Sequence, residues 1–335
     1  MTKTPMIDVI VPVYNVEAYL PKCMQSLLDQ DFPSFVVTLI DDGSTDGTGA
    51  LCDAYAAEQP GRVRVFHQEN TGQATARNRA VARSAGAFIT FVDADDWLSP
   101  GYLSALYRAM ERTGAGMASA RICTETIRPD GSLSPALYPL PEQLLMDRDG
   151  ALAALCMEGV SGVSGFLCGK LTARANVLAH PFPEGRLFED SFAIWRQVMD
   201  CGKLVCVPEA VYHVLTRPDS SQRKPFEPRH LDLLDAVSEM MDAFQAQGMP
   251  PAVMTAGAYK VCRSCYVTAF HAADLPLARY RAVLARIRPL LARYLPALQG
   301  DARPGWKDRT LYRLILSGGT LFYAAVRLLR RRSPS

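Results

Sequence analysis

The sequence predicts a Rossmann-like α/β fold with a mostly parallel central sheet, followed by a helical C-terminal extension. Three observations carry this expectation. In the first hundred residues, β-branched apolar runs alternate with stretches of helical periodicity; those runs end in polar turns; and from Pro228 onward the pattern is helical throughout. At 335 residues the chain exceeds the usual size of one core, so one large domain with an extension, or two closely packed units, is expected.

Residues 6–13, a β-branched run containing Pro12, read as a buried parallel strand with Tyr14 and Asn15 at its C-terminal edge. Residues 17–28 place Ala18, Leu20, Met24, Leu27 and Leu28 mainly on one helical face. A second strand, 35–40, ends in Asp41-Asp42-Gly43-Ser44-Thr45-Asp46-Gly47, where ligands bind in open α/β sheets. Ser44 and Asp46 read more simply as caps of the next helix. Adjacent Asp41 and Asp42 need another reason, because like charges repel.

A third strand, 63–66, leads through Glu69-Asn70-Thr71-Gly72 to a helix carrying Arg77, Asn78 and Arg79 in its early turns. Arginine there opposes the helix dipole, so an anionic partner such as a diphosphate accounts for it better than helix stability does. A solvated basic face is the alternative, as plausible as the anion for Arg79 and less so for Arg77. The fourth strand, 88–92, runs into Asp93-Ala94-Asp95-Asp96-Trp97. Three carboxylates in four residues call for a neutralising cation, and hard oxygen ligands suit Mg2+ or Mn2+ shared with substrate phosphates; a helix cap is the weaker reading.

The balance of 36 Lys and Arg against 34 Asp and Glu leaves a net charge of +2, so no overall field gathers nucleic acid. The nine scattered cysteines read as buried thiols of a reducing compartment. Cys262-Arg-Ser-Cys265 has half the spacing of a zinc site, but without a second half it reads as structural. The N-terminus lacks the apolar stretch of a secretory signal, which predicts a cytoplasmic protein.

The strings Val9-Ile-Val-Pro-Val-Tyr-Asn15, Asp41-Asp-Gly-Ser-Thr-Asp46, Asn70-Thr-Gly72, Ala76-Arg-Asn78 and Phe91-Val-Asp-Ala-Asp-Asp-Trp97 occur in this order. Together they resemble the inverting family-two glycosyltransferases of the glycosyltransferase-A fold, strongly over the first 110 residues and more loosely to about 222. The resemblance implies a catalytic domain over 1–222, with a nucleotide-sugar half (1–110) and an acceptor half (111–222), followed by a helical region over 223–335. It puts Pro12, Tyr14, Glu17, Asp42, Gly72, Arg77, Asp93 and Ala94 around a nucleoside-diphosphate-sugar, with Asp42 accepting from the base. Asp95 becomes the direct ligand of Mn2+ or Mg2+, and Asp93 a contact to ribose or sugar and a second metal candidate.

Leu187-Phe-Glu189-Asp190-Ser-Phe, ahead of a helix over 191–199, resembles the acceptor half of bacterial members, in which the aspartate is general base. That makes Asp190 the base and Glu189 its neighbour; a helix cap is the bland alternative. Residues 211–221 resemble the segment that closes over the diphosphate, with Arg217 as a phosphate contact. His213 reads first as a structural histidine at a strand end and second as a late metal ligand.

Helix breaks are expected at Gly248–Pro251, Leu275-Pro276, Pro289 and Pro296. The last apolar, aromatic stretch, 314–326, is too short to span a bilayer and is followed by Arg327, Arg330, Arg331 and Arg332. It reads as an interfacial helix holding the protein on the inner face of the cell membrane, with core packing as the alternative. That placement favours a glycan or lipid-linked oligosaccharide acceptor. A nucleotidyltransferase lacks the expected Gly-rich basic loop after the first strand, and a degenerate binding subunit does not account for Asp93, Asp95 and Asp190.

Overall fold

A computed structural model describes residues 6–128, 130–140, 142–157, 163–217, 225–301 and 305–332. Its first strands form where the sequence places buried apolar runs. β1 (Ile7–Val13) and β2 (Phe35–Asp41) are buried at every position, and β3 (Val63–His67) and β4 (Phe88–Phe91) complete a parallel set in the order β3-β2-β1-β4. Pro12 is tolerated in this central strand because β4 ends at Phe91, opposite Ile10, so the amide it lacks faces no ladder partner on that side. The helices α1 (Leu20–Leu28), α2 (Thr48–Glu58) and α3 (Gln73–Arg83) are the crossovers.

Beyond β4 the sheet becomes mixed. β5 (Trp97–Leu98), β6 (Met117–Ile127), β7 (Leu133–Leu137), β8 (Leu144–Asp147), β9 (Lys170–Ala173) and β10 (Lys203–Thr216) extend the order to β4-β9-β6-β10-β5. Of these pairings only β6 with β10 is parallel; β9 against β4 and β6, β7 against β6, and β5 and β8 against β10 are antiparallel. The expected mostly parallel sheet therefore holds over β1–β4 and not beyond β4. α4 (Tyr102–Thr113), α5 (Arg148–Cys156), α6 (Arg174–Ala179) and α7 (Glu189–Asp200) connect these strands.

Backbone contacts divide the chain into two units. One takes in the described residues up to Gly185 and from Ala193 to Arg217; the other takes in Arg186–Phe192 and the described residues from 225 onward. The second unit contains α8 (Asp232–Ala246), α9 (Pro251–His271), α10 (Leu277–Tyr294), α11 (Trp306–Leu316) and α12 (Thr320–Arg332). Cys262 and Cys265 are fully buried in α9, among its packed apolar residues.

Two local expectations change here. Pro289 does not break its helix but lies within α10 on an exposed face, where the carbonyl of Ala285, deprived of its donor, can turn to water. The apolar stretch 314–326 is not one helix, because Gly318 and Gly319 take φ of 136° and 70° and end α11 before α12 starts. Tyr312, Ile315, Phe322 and Val326 are buried, whereas Leu321 and Leu328 are exposed, so the stretch is partly core. Among the described residues no helix is long and apolar enough to cross a membrane.

Candidate active site

The carboxyl ends of β1, β2, β3 and β4 share one edge of the sheet, and the strand order reverses direction at β1. This switch point is where an open α/β sheet leaves a crevice for a ligand. Two loops meet there by reciprocal side-chain to backbone bonds. The Asn15 amide donates to Ser44 Oγ at 3.1 Å, and the Thr45 amide donates to Asn15 Oδ1 at 2.8 Å. The Gly47 amide donates to Glu17 Oε2 at 3.0 Å, and the Glu17 amide donates to Asp46 Oδ2 at 3.3 Å. Asp46 also accepts from the Thr48 amide, in keeping with its reading as a cap. Asn15 adopts φ 51°, a left-handed conformation that asparagine tolerates, and beside it Tyr14 is 47% exposed.

Asp41 and Asp42 are both buried but differently employed. Asp42 accepts from the amides of Thr71 and Gly72, each at 2.8 Å, and from Gln68 Nε2 at 2.7 Å. It thereby ties the turn before α3 to the end of β2, and Gly43 fits between them because a Cβ there would stand 2.9 Å from the Asn70 amide. Asp41 accepts from the Ser44 amide and pairs with His67 Nδ1 at 2.8 Å. Burial raises its pKa, but the Ser44 and His67 hydrogen bonds outweigh that and hold it below the usual value.

The turn after β4 has the opposite electrostatics. Arg77, buried in α3, donates to Asp93 Oδ1 at 3.0 Å, so the anion expected beside this arginine is a carboxylate of the chain itself. Arg217 lies 2.9 Å from Asp95 Oδ2, its guanidinium also over the Tyr19 ring. Ala94 is buried between these carboxylates. Asp96 accepts from Tyr212 OH and from the Leu215 amide, each at 2.8 Å, and Tyr212 OH in turn accepts from the Asp93 amide. Burial, then repulsion from Asp93, raises the Asp95 pKa despite Arg217. Burial and both neighbouring carboxylates push Asp96 well up.

His213 lies within β10 rather than at its end; its Nδ1 is 2.9 Å from Glu125 Oε1, and its ring is stacked on Trp97. Asn78 clamps Phe182 through two hydrogen bonds, Nδ2 to the carbonyl and the amide to Oδ1. Glu189 and Asp190 open α7, immediately after Phe188 at φ 57°. Their segment belongs to the second unit, where Arg186 pairs with Asp232 and Asp235, and the Leu187 amide donates to Asp232 Oδ2. The first unit thus brings together Pro12, Tyr14, Glu17, Asp42, Gly72, Arg77, Asp93, Ala94, Asp95 and Arg217 around the strand ends, with His213 turned to Glu125.

Residues 8–150 match the family model described as Glycosyl transferase family 2. Over those residues the chain is similar to glycosyl transferase family 2. The same stretch contains the loops at the ends of β1, β2, β3 and β4. GlyA, a glycosyltransferase of Streptococcus pneumoniae serotype 4, is 29% identical over 248 residues, 73% of this chain and 35% of GlyA, so the chain spans about a third of that relative's length. TarS residues 1–349 from S. aureus, solved with UDP-GlcNAc, shares the fold with a TM-score of 0.64 at 18% identity, over 93% of this chain and 90% of that one. A mannosyltransferase from Pyrobaculum calidifontis, solved with GDP-Man and Mn2+, gives a TM-score of 0.54 at 17% identity, over 96% and 88%.

Sequence reading missed Tyr212 and Glu125. Tyr212 lies 116 positions from the Asp96 it holds, and Glu125 lies 88 from His213, so no local pattern marks either. The register of β6, β10 and β5 brings them there. A surface recess lined by Gln30, Phe32, Phe35 and Arg62 lies by the starts of β2 and β3, away from these loops.

Proposed function

We propose that this chain is an inverting glycosyltransferase that moves a sugar from a nucleoside-diphosphate-sugar, a UDP-sugar above others, to a glycan or lipid-linked acceptor in cell-surface polysaccharide biosynthesis. One observation carries the reading: Asp93 and Asp95 sit at the switch-point edge, each facing an arginine, with Asp95 held at a raised pKa by burial and by its acidic neighbour. Carboxylates so crowded fit Mn2+ or Mg2+, with Asp95 as direct ligand and Asp93 beside it. Such an ion supplies charge neutralisation at the diphosphate. His213 is not counted in that set, because it lies with Glu125 and Cys123, its Nδ1 2.9 Å from Glu125 Oε1.

Tyr14, Pro12 and Glu17 line the base and ribose side, and Asp42 Oδ2, which accepts from the Gly72 amide while Oδ1 takes Gln68 and the Thr71 amide and hydroxyl, has a lone pair for a base N–H. Asp190, beside Glu189, takes the proton of the acceptor hydroxyl. The oxygen bonds to the anomeric carbon as the bond to the diphosphate oxygen breaks on the opposite face, which inverts the configuration. Arg77 and Arg217 face the departing diphosphate, and Arg217 leaves Asp95 to do so. Release of nucleotide from a panel of donors, with calorimetry of UDP with and without Mn2+, tests this; metal-independent UDP binding defeats it.

The last two helices carry the proposed attachment to the inner face of the membrane. Exposed Leu321 and Leu328 support it, together with the arginines from 327 onward in the sequence. Because the neighbouring apolar residues are core, the test is the double change Leu321→Ser and Leu328→Ser. Flotation with anionic liposomes should fall while folding persists, and unchanged flotation removes the membrane from the reading.

A further inference from the structure

Outside the donor edge, β6 and β10 bring three different metal-ligating groups to one point. Cys123 and His213 are register partners, and Glu125 follows Cys123 by two residues, so all three project from the same face of the sheet. Glu125 Oε1 lies 2.9 Å from His213 Nδ1 and 3.5 Å from Cys123 Sγ, and the three ligand atoms lie within 4.8 Å of one another. Cys123 and Glu125 are buried.

We infer that Cys123, Glu125 and His213 form a binding site for a borderline-soft transition-metal ion, Zn2+ above others, separate from the all-oxygen Asp93 and Asp95 pair. Zinc takes sulfur at about 2.3 Å and nitrogen or oxygen at about 2.0–2.2 Å; a tetrahedron with those bonds spaces nitrogen from oxygen by about 3.3 Å and sulfur from oxygen by about 3.5 Å. Cys123 and Glu125 already have that spacing, His213 and Glu125 need a few tenths of an ångström of opening, and Cys123 and His213, which lie within 4.8 Å, must come to about 3.5 Å. Thiolate and carboxylate together carry two negative charges, matching a divalent ion, and a sulfur ligand selects Zn2+ against Mg2+ or Mn2+. Three protein ligands leave a fourth position for water.

The outer shell fits as well. Trp97 stacks on the His213 ring at 5.1 Å between centroids and 10° between planes, which holds the imidazole in orientation. Lys22 lies over the Trp97 ring, where partial burial lowers its pKa against the raising field of Glu125. Binding here would pin β6 to the stretch of β10 that supplies Tyr212 and Leu215 to Asp96 and Arg217 to Asp95.

Titration of the full chain, stripped with chelator, with Co2+ tests this assignment. One equivalent should produce a thiolate-to-cobalt charge-transfer band in the near ultraviolet, and Zn2+ should displace it. Cys123→Ser should abolish the band. His213→Gln should weaken Co2+ binding by more than about 100-fold, since even outer-shell losses cost roughly 10–100-fold. Asp95→Asn should leave the band intact, which separates this site from the donor-edge cation. Should Cys123→Ser not fold, Glu125→Gln takes its place and should weaken the band as His213→Gln does. Absence of the band in the wild type, its survival in Cys123→Ser, its persistence undiminished in Glu125→Gln, or its loss in Asp95→Asn overturns the assignment.

Discussion

The chain has two acidic turns at the ends of β2 and β4, the strands on either side of β1, and they solve the same problem in opposite ways. After β2, the carboxylates of Asp41 and Asp42 receive amide, amide side-chain and imidazole donors, and Asp41 stays readily ionised. After β4, Asp93 and Asp95 face arginines, while Asp96 is buried against Tyr212, and the pKa values of Asp95 and Asp96 rise. Donors fixed in the backbone make the first turn a scaffold. Cationic side chains make the second one exchangeable, since an arginine can be replaced by another cation. Two aspartates on a strand end are therefore not in themselves a metal site; what neutralises them decides.

The largest test lies with the acidic pair outside both turns. Asp190→Asn should lower transfer by two or more orders of magnitude, the scale of a lost general base, with UDP affinity unchanged. Transfer near the wild-type rate would move the base elsewhere.

The comparison itself breaks or holds with Asp95→Ala and Asp42→Ala measured side by side. Asp95→Ala should bring UDP affinity in Mn2+ down to the metal-free level, with little change in the urea midpoint. Asp42→Ala should cost about 2 kcal/mol or more of stability by orphaning the amides of Thr71 and Gly72, yet leave the dependence on Mn2+ in place. The reverse pattern would exchange the roles of the two turns.

A smaller, more pointed effect concerns Arg217. If it holds the place of a cation, Arg217→Ala should raise Mn2+ affinity several-fold in the absence of nucleotide and lower UDP affinity in its presence. Calorimetry showing both affinities falling together would make the ion pair purely structural.

The smallest effect is the pH response of the scaffold turn. His67 pairs with Asp41 and Asp53, and those hydrogen bonds raise its pKa above the usual value. Its contribution is complete below the unfolded-state value of about 6.5 and is lost as pH rises through the higher folded value. Asp41 shifts the other way, so its share is present above about 3.9 and disappears as pH falls through its lowered folded value. The stability difference between wild type and His67→Gln should therefore be greatest near pH 5 and shrink toward pH 9. Because the His67 side chain is 46% exposed, solvent screening keeps it small; a difference that grows with pH contradicts the pairing.

The sequence alone determined the strands and crossover helices of the first hundred residues, because buried parallel strands need unbroken β-branched runs and their ends need turn residues, both of which are local. It also marked the Asp93–Asp96 cluster, since like charges within four residues demand neutralisation wherever the chain goes. Tertiary structure alone decided which partner each of them meets. Arg217 reaches Asp95 and Tyr212 reaches Asp96 only because β10 pairs with β5 and β6, a register set by the packing of distant strands. The same holds for the tail, where periodicity finds an apolar stripe but not what covers it: Phe322 and Val326 became core and Leu321 remained exposed through contacts that helical spacing does not encode.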